Sequence, residues 1–380
     1  MVVRKFLHWL NSAPVAERAA AATALARAFV ERELPFEDRC AAEAAMTLLL
    51  DDPSPKVRAA LSETLSMSRN APHHIVAALA SDQPEIAQFV LVRSPQLSDM
   101  DLVDLVATSG GRLQALIASR PIVSASIAAA IAEVGEVDAC IALLKNDGAH
   151  IAAVSFRRIA ERHGTHAGLR EVLLADPRLP GDCRHMLLLR VSEALQSSPF
   201  VIALMGKARA GQVAREACTR GALLLAEHTD PQERTALIEH LRLRGELTPG
   251  FLVRAVAHGK IDFVGSVMIQ LTGASERQVR ALLASGRDVA VISLFRKCGL
   301  AANYAGVILH ALKVWREVAN EKCVAGPQEV SWMMLKHLNA APGQAGPTEA
   351  DRELASLIKR IHLEVLRDNA RTHAMAIAAA

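Results

Sequence analysis

Histidines are the residues of this chain whose type and spacing come closest to a reactive site. His163 and His166 follow Glu161 closely, and imidazole and carboxylate groups at short spacing can ligate a metal or move a proton. Gly164 lies between the two histidines and is expected to end the helix, so we interpret both as surface or capping residues. His73–His74 are adjacent, and adjacent helix positions point in different directions, unlike a chelating pair.

Other patterns that carry chemistry are missing from the sequence. There is no HExxH, no GxSxG and no phosphate-binding loop, because Gly110–Gly111 lacks the lysine and the preceding strand that such a loop needs. The Asp51–Asp52 pair lies at a predicted helix start, where carboxylates cap. We therefore expect no enzymatic activity, no cofactor and no metal site. The six cysteines form no CxxC pair, and we interpret them as small buried residues in a reducing compartment: Cys40, Cys140, Cys183, Cys218, Cys298 and Cys323.

Basic side chains offer a second kind of chemistry, because they can hold an acidic partner or a phosphate backbone. Residues 1–150 carry 13 Lys/Arg against 18 Asp/Glu, a net charge of −5, whereas residues 151–380 carry 30 against 22, a net charge of +8. Arginines late in a helix also complement its dipole, and scattered arginines solvate a surface, so this structural explanation is favoured over nucleic-acid binding. The candidate partner-binding arginines are Arg157, Arg158, Arg162, Arg242, Arg244 and Arg254.

The stretch Asp51–Asp82 shows which elements must position these residues. Pro55 suits the first turn of a helix, which Asp52 or Ser54 can cap. Helices this short are unstable alone in water, so the pair must bury its apolar sides against the next pair. The apolar positions recur at spacings of three and four: Val57, Ala60, Leu61, Thr64 and Leu65, then after Pro72 Ile75, Val76, Ala78 and Leu79.

The same outline recurs along the chain. A helix over Val137–Asn146, a corner at Asp147–Gly148 and a helix that ends at Gly164 form a further pair, and the glycine suits the C′ position. Helix starts continue beyond residue 178, at Ser198–Pro199, Asp230–Pro231, Thr248–Pro249 and Ser275 with Gln278.

Two resemblances extend this interpretation. The stretches Gly245–Phe263 and Leu271–Leu283 resemble a bacterial family of all-helical proteins known only as a domain of unknown function, which supplies no catalytic residue. The central stretch resembles the HEAT-like class of α-solenoid repeats, including the short bacterial leucine-rich repeat variants. That resemblance implies a curved stack of helix pairs that docks proteins. The residues that carry it are Asp52, Pro53, Val57, Arg58, Leu61, Pro72, Val76 and Leu79.

We therefore predict an all-α chain. An α-solenoid of stacked antiparallel helix pairs is expected over residues 1–178 and a second helical lobe over 179–339. A flexible Pro/Gly-rich linker over 340–350 precedes a C-terminal amphipathic helix over 351–380. This helix can dock onto its own chain or onto another copy as a homodimer, and the sequence leaves both open. Its apolar residues are Leu354, Leu357, Ile358, Ile361, Leu363 and Leu366.

The predicted function is a non-enzymatic scaffold that binds a protein or peptide partner through its curved surface. The alternative is a nucleic-acid-binding HEAT-like protein that uses the basic second lobe. A base-acting protein of that kind needs aromatic residues in its groove. Here Trp9, Trp315 and Trp332 lie near the ends of the chain, and Tyr304 is the only tyrosine.

The sequence also bears on location. The first residues, MVVRKFLHWL, lack the long apolar core of an export signal. No window offers about 18 uninterrupted apolar residues, the length that a membrane-spanning helix needs. We therefore expect a soluble, cytoplasmic bacterial protein with no membrane contact.

Overall fold

The computed structural model describes residue 9 and residues 12–31, 33–340 and 348–379. These residues are mostly α-helical; among them no strand forms, and the one strand-like contact is an isolated bridge between Val123 and Ala149. The prediction of an all-α chain is confirmed. The chain divides into two compact units, Met1–Leu179 (unit 1) and Pro180–Ala380 (unit 2).

The helices of unit 1 are short, most of them two to four turns long. They are α1 Val15–Glu31, α2 Phe36–Leu49, α3 Pro55–Leu65, α4 His73–Ala80, α5 Pro84–Arg93, α6 Asp99–Thr108, α7 Gly111–Ala118, α8 Ala125–Val134, α9 Val137–Leu144, α10 Ala153–His163 and α11 Ala167–Ala175.

Alternate helices of unit 1 pack on each other. Helix α1 contacts α3, α3 contacts α5, and the series continues through α7, α9 and α11. A second series runs from α6 through α8 to α10. Because each helix buries only one side, it depends on these neighbours for stability; in α3 that side comprises Val57, Leu61 and Leu65.

Asp52 has a different role from the predicted cap of α3. Ser54 occupies the capping position, but its side chain makes no capping hydrogen bond. The Asp52 carboxylate accepts hydrogen bonds from the Ser54 N–H at 2.8 Å and from Arg18 Nε and Nη2 at 2.8 and 3.0 Å. Asp52 therefore ties the start of α3 to α1. The prediction that Asp52 caps α3 is corrected, because its carboxylate forms an ion pair between the two helices instead.

The next helix pair contains a similar ion pair between helices. Arg58 Nε and Nη2 donate to the Asp82 carboxylate at 2.6 and 3.1 Å, and Arg58 Nη1 donates to the Asp52 carbonyl at 2.6 Å. Burial alone raises the pKa of Asp82, but hydrogen bonds from Arg58 and the Gln83 N–H, with the Arg58 charge, outweigh it and lower the pKa. The carboxylate therefore stays ionised at neutral pH, and the ion pair is retained.

Polar side chains further along unit 1 close the carboxyl ends of earlier helices. Arg120 Nη2 donates to the Ser94 carbonyl at 2.9 Å, 26 residues back, and Asn146 Nδ2 donates to the Ala118 carbonyl at 2.8 Å, 28 residues back. The last carbonyls of a helix lack intrahelical partners, so these bonds supply hydrogen-bond donors to carbonyls that would otherwise be buried without one. Their spacing is about the length of one helix pair.

The predicted corner at Asp147–Gly148 is present, since Val123 bridges to it through hydrogen bonds with Gly148 and His150 at 3.1 and 2.9 Å. Helix α10 ends at His163, so the prediction that the helix ends at Gly164 is confirmed, but the conformation expected of a C′ glycine is not adopted. Gly164 follows α10 with φ −62° and ψ −13°, a right-handed conformation, and so does not form the left-handed helix end that was expected.

Unit 2 contains longer helices and completes the chain. They are α12 Gly181–Ser197, α13 Pro199–Met205, α14 Lys207–His228, α15 Pro231–Leu243, α16 Pro249–Ala257, α17 Ile261–Thr272, α18 Glu276–Ser285, α19 Asp288–Lys297, α20 Ala302–Ala319, α21 Pro327–Ala340 and α22 Glu349–Ala379.

Predicted helix starts in unit 2 are confirmed in part. The Thr248 hydroxyl accepts from the Phe251 N–H at 3.1 Å, and the Ser275 hydroxyl accepts from the Gln278 N–H at 3.3 Å. Ser198 and Asp230 also precede helices that begin with proline, but their side chains make no capping hydrogen bond. Proline at the first helical position is sufficient there, because its φ is already helical.

Helix α16 forms the centre of unit 2. It contacts α17, α20, α21 and α22, and every residue from Phe251 to Ala257 is buried. The Phe251 ring meets the Phe263 ring of α17 edge to face, with centroids 6.1 Å apart. A helix buried on all sides is typical of the middle of a domain.

The C-terminal helix α22 packs on α16 and α21. Leu354, Ile358 and Ile361 are fully buried, as predicted for the apolar side of this helix. Leu363 is 51% exposed, and Val365 takes the buried position instead. The predicted linker falls largely on residues 341–347, which lie outside the described residues.

Within the described residues, no single helix has both the length and the apolar character to cross a membrane. Helices α12 and α13, bent by 67° at Ser198, meet that length and composition test only as a pair.

Candidate functional site

A cleft of about 410 Å³ opens between α17, α18 and α20 of unit 2. We call it the unit 2 cleft. Its floor and walls are mostly apolar, and the exposed side chains of Asp262 and Arg280 stand at its rim. The apolar lining residues include Ile261, Ile269, Leu283, Leu312 and Trp315, and the polar ones are Asp262, Ser266, Arg280, Arg316 and Asn320.

Trp315 forms a wall of the unit 2 cleft that is fixed in place. Its Nε1–H donates to the Val256 carbonyl of α16 at 2.7 Å. The ring lies beside Gly259, where a Cβ would be 3.1 Å from Trp315 Cζ2. Gly259 also has φ +74°, a left-handed conformation that favours glycine. The turn between α16 and α17 therefore holds the indole at the cleft.

Arg316 supports the cleft from behind. Its guanidinium donates to the carbonyls of Leu282 and Leu283 at 2.7 Å each and of Gly286 at 3.2 Å, at the carboxyl end of α18. The Leu282 carbonyl also accepts from the Gly286 N–H at 2.9 Å, whereas the last carbonyls of a helix find no such partner within it. Arg316 therefore holds the end of α18 against α20. The positive charge of Arg316 is thus used by the fold itself.

The exposed side chains at the rim carry both signs of charge. Arg280 is 59% exposed, donates to Glu276 at 2.8 Å and lies 3.9 Å from Asp262. Exposed pairs of this kind contribute little to stability, so they can exchange partners easily. Apolar contact at the floor and hydrogen bonding at the rim are the interactions that this arrangement offers.

We predict that Gly259→Ala destabilises unit 2 more than Gly299→Ala does. Both glycines have positive φ, +74° and +81°, but nothing lies within 4 Å of a Cβ at Gly299. The left-handed conformation should cost about 1–2 kcal/mol at either site, and displacing Trp315 from its hydrogen bond about 1 kcal/mol more. Urea unfolding followed by tryptophan fluorescence measures both losses. Equal losses of unfolding free energy in the two variants would show that Trp315 is not held in place by the turn at Gly259.

The predicted arginines of unit 1 lie together on α10. Arg158 Nε and Nη2 donate to the Glu133 carboxylate at 2.8 Å each, and Arg162 Nη1 donates to the Ala132 carbonyl at the end of α8 at 2.8 Å. Arg157 is half-buried. The contacts of Arg158 and Arg162 connect α10 to α8 and thus have a structural explanation.

The predicted arginines of unit 2 do not form one surface. Arg242 Nε and Nη2 donate to Glu239 at 2.8 and 2.7 Å, and Arg244 Nε lies 3.3 Å from Glu246. Arg254 is only 7% exposed and is paired with Glu364 of α22. Its prediction as a partner-binding residue is corrected, because an arginine in the core cannot meet a partner at the surface.

His166 and the pair His73–His74 behave as the sequence predicted, whereas His163 is half-buried, with Nε2 3.1 Å from the Gly135 carbonyl. His166 caps α11, since its Nδ1 accepts from the Leu169 N–H at 3.3 Å. His73 lies 3.1 Å from Asp101 and His74 lies 3.7 Å from Glu43, so the two rings have different partners. No group of three or more His, Cys, Asp or Glu side chains that could hold a metal ion is found in the part of the chain described.

The six cysteines differ in their burial. Cys140, Cys183 and Cys218 are buried, as predicted, and burial raises the pKa of the Cys140 thiol to about 11. The prediction of burial is wrong for Cys40, which is exposed on α2.

The sequence interpretation missed the unit 2 cleft because its lining comes from three separate helices. A local signal was available on α17, where Ile261, Gly265 and Ile269 recur every four residues and so share one side. A Cβ at Gly265 would lie 3.2 Å from Leu283 Cδ1, so the glycine lets α18 pack closely against this side of α17.

Comparisons with known proteins give one match. No curated protein and no solved structure shows significant similarity to the chain. A family described as "Uncharacterised protein conserved in bacteria" (DUF2336) matches residues 86–345, which is more than half of the chain. The predicted resemblance to a bacterial family of unknown function is thereby confirmed, and the chain belongs to the DUF2336 family.

Proposed function

We propose that this protein is a non-enzymatic helical-repeat scaffold that binds an amphipathic helical segment of a partner protein in the unit 2 cleft. The cleft carries the proposal, because it combines an apolar floor with a rim of both charges. Its volume, about 410 Å³, falls within the range of roughly 300–1,000 Å³ that is usual for ligand pockets. Helices that dock in such grooves insert apolar residues spaced three and four apart.

The scaffold itself follows from unit 1, which we propose is a HEAT-like α-solenoid. Two observations support this. Alternate helices contact each other in series, and two polar contacts at helix ends join residues 26 and 28 positions apart. Each repeat then depends on its neighbours, as in helical repeat proteins.

For the arginines that the sequence singled out and for the unit 2 cleft, a protein partner is favoured over nucleic acid. Binding to a phosphate backbone depends on arginines and lysines that are available at the surface. Arg158, Arg242 and Arg244 already pair with glutamates, and Arg254 is buried. By contrast, the apolar floor of the unit 2 cleft has no use in binding phosphate.

A peptide-display selection on the full chain tests the proposal. Random peptides long enough for four helical turns are selected on the protein, and their affinities are measured for Ala284→Trp and Ala374→Trp variants. Ala284 is exposed and lines the cleft, so an indole there fills the opening without entering the core. Ala374 is equally exposed on the last turns of α22 and serves as the control.

We expect the selected peptides to share apolar residues at helical spacing and to lose at least about tenfold in affinity for Ala284→Trp alone, the scale of truncating one interface anchor. Peptides without such a pattern, or with equal affinity for both variants, would contradict binding in the cleft.

A further inference from the structure

The link between α12 and α14 exposes an apolar helix. Helix α13, with the sequence PFVIALM, contains no buried residue. Phe200 and Leu204 are 70% and 67% exposed, and because they are four residues apart they share one side of the helix. Single exposed apolar residues are common, but a helix that has no fully buried residue and exposes a phenylalanine and a leucine on one side is not explained by packing.

The backbone holds α13 at the end of a hairpin. Helices α12 and α14 contact each other, and α13 contacts both. The chain bends by 67° between α12 and α13, and Gly206, with φ +77°, turns it into α14. Glycine adopts this left-handed conformation without strain. The apolar helix is therefore a convex tip rather than part of a groove.

The tip is flanked by unpaired positive charge. Lys207 and Arg209 lie in the first turn of α14 and Arg215 two turns later, and all three are exposed. Residues 194–215 contain no aspartate or glutamate, and within the described residues no carboxylate pairs with Lys207 or Arg209. Positive charge at the start of a helix opposes the helix dipole, so these residues do not serve the stability of α14.

We propose that this tip docks onto the surface of a bilayer that contains anionic phospholipid. Phe200 and Leu204 enter the boundary between headgroups and acyl chains, while Lys207 and Arg209 contact the phosphates. Short apolar surfaces beside basic residues bind membranes in this way. This differs from the sequence expectation of no membrane contact.

Two features favour the surface of an anionic bilayer over a second copy of the chain or a membrane-spanning arrangement. A symmetric contact through this tip would bring the positive charges of two copies into one interface, because both copies use the same patch, whereas anionic lipid complements Lys207 and Arg209. The tip also lies on a membrane rather than crossing it, because Cys183, His185 and Leu187 of α12 are buried within unit 2.

Vesicle co-sedimentation of the full chain tests the proposal. The probes are vesicles of phosphatidylcholine alone and of equal parts phosphatidylcholine and phosphatidylglycerol. We expect binding to the mixed vesicles, reduced at least about tenfold by Phe200→Asp and roughly thirtyfold by Lys207→Glu with Arg209→Glu. Val289→Asp, at a position 81% exposed on α19, should bind as the natural chain does.

Insertion is measured separately with Phe200→Trp, whose fluorescence should be quenched by brominated phospholipid in the mixed vesicles. Equal binding to both kinds of vesicle, Phe200→Asp behaving like Val289→Asp, or no quenching would each overturn the proposal. A dimer that Phe200→Asp dissociates, without vesicle binding, would overturn it in favour of a second copy.

Discussion

A chain ending at Asn339 is expected to lose the cooperative unfolding transition of unit 2. It lacks α22, whose Leu354, Ile358, Ile361 and Val365 lie in the core around α16. Burying one such side chain stabilises by about 1.5–3 kcal/mol, so the four together approach the roughly 5–15 kcal/mol of a whole domain. Urea unfolding followed by the fluorescence of the tryptophans in unit 2 measures the loss.

A chain ending at Ala370 is the matched control. It keeps all four buried residues and removes only the last turns of α22, in which residues 371–378 are exposed. Its unfolding midpoint should equal that of the full chain. A shared midpoint for the full chain and the chain ending at Asn339 would show that α22 does not complete the core.

Replacing Arg254 by methionine is expected to destabilise unit 2 by about 3–5 kcal/mol, as the loss of one partner of a buried ion pair does. The Arg254 and Glu364 side chains are 9% and 12% exposed. Without Arg254, the Glu364 carboxylate keeps only Arg220, whose Nε lies 2.7 Å away and which is itself 41% exposed. The free energy of unfolding from urea titration gives the magnitude.

Two further variants separate burial from charge. The double variant Arg254→Met with Glu364→Met should recover most of the loss, because it leaves no unpaired buried charge. Arg242→Met removes an exposed pair with Glu239 and should cost no more than about 1 kcal/mol. If the double variant lost as much free energy of unfolding as the single variants Arg254→Met and Glu364→Met together, the two side chains would not act as a pair.

The parts of the fold that depend on neighbouring residues could be predicted from the sequence. Pro55 and Pro249 begin helices α3 and α16, and Thr248 and Ser275 cap α16 and α18, because these preferences act within one turn. The buried side of α22 was nearly right for the same reason. Its error at Leu363 arises because Val365, four residues after Ile361, lies directly on the buried side.

The parts that depend on distant residues could not be predicted. Arg254 was placed at the surface because its partner, Glu364, lies 110 residues away, and no local spacing reveals such a pair. The unit 2 cleft needs α17, α18 and α20 to meet, which helix periodicity does not specify. Phe200 was passed over because apolar residues are usually buried, and only the structure shows α13 exposed.

Photo-cross-linking in the bacterial host tests the central claim, that the unit 2 cleft binds a partner protein. A benzophenone amino acid is placed at position 284, which lines the cleft, or at position 374, which does not. We predict that position 284 alone forms an adduct with a protein segment whose apolar residues follow helical spacing. The same adducts from both positions, or none from position 284, would contradict the claim.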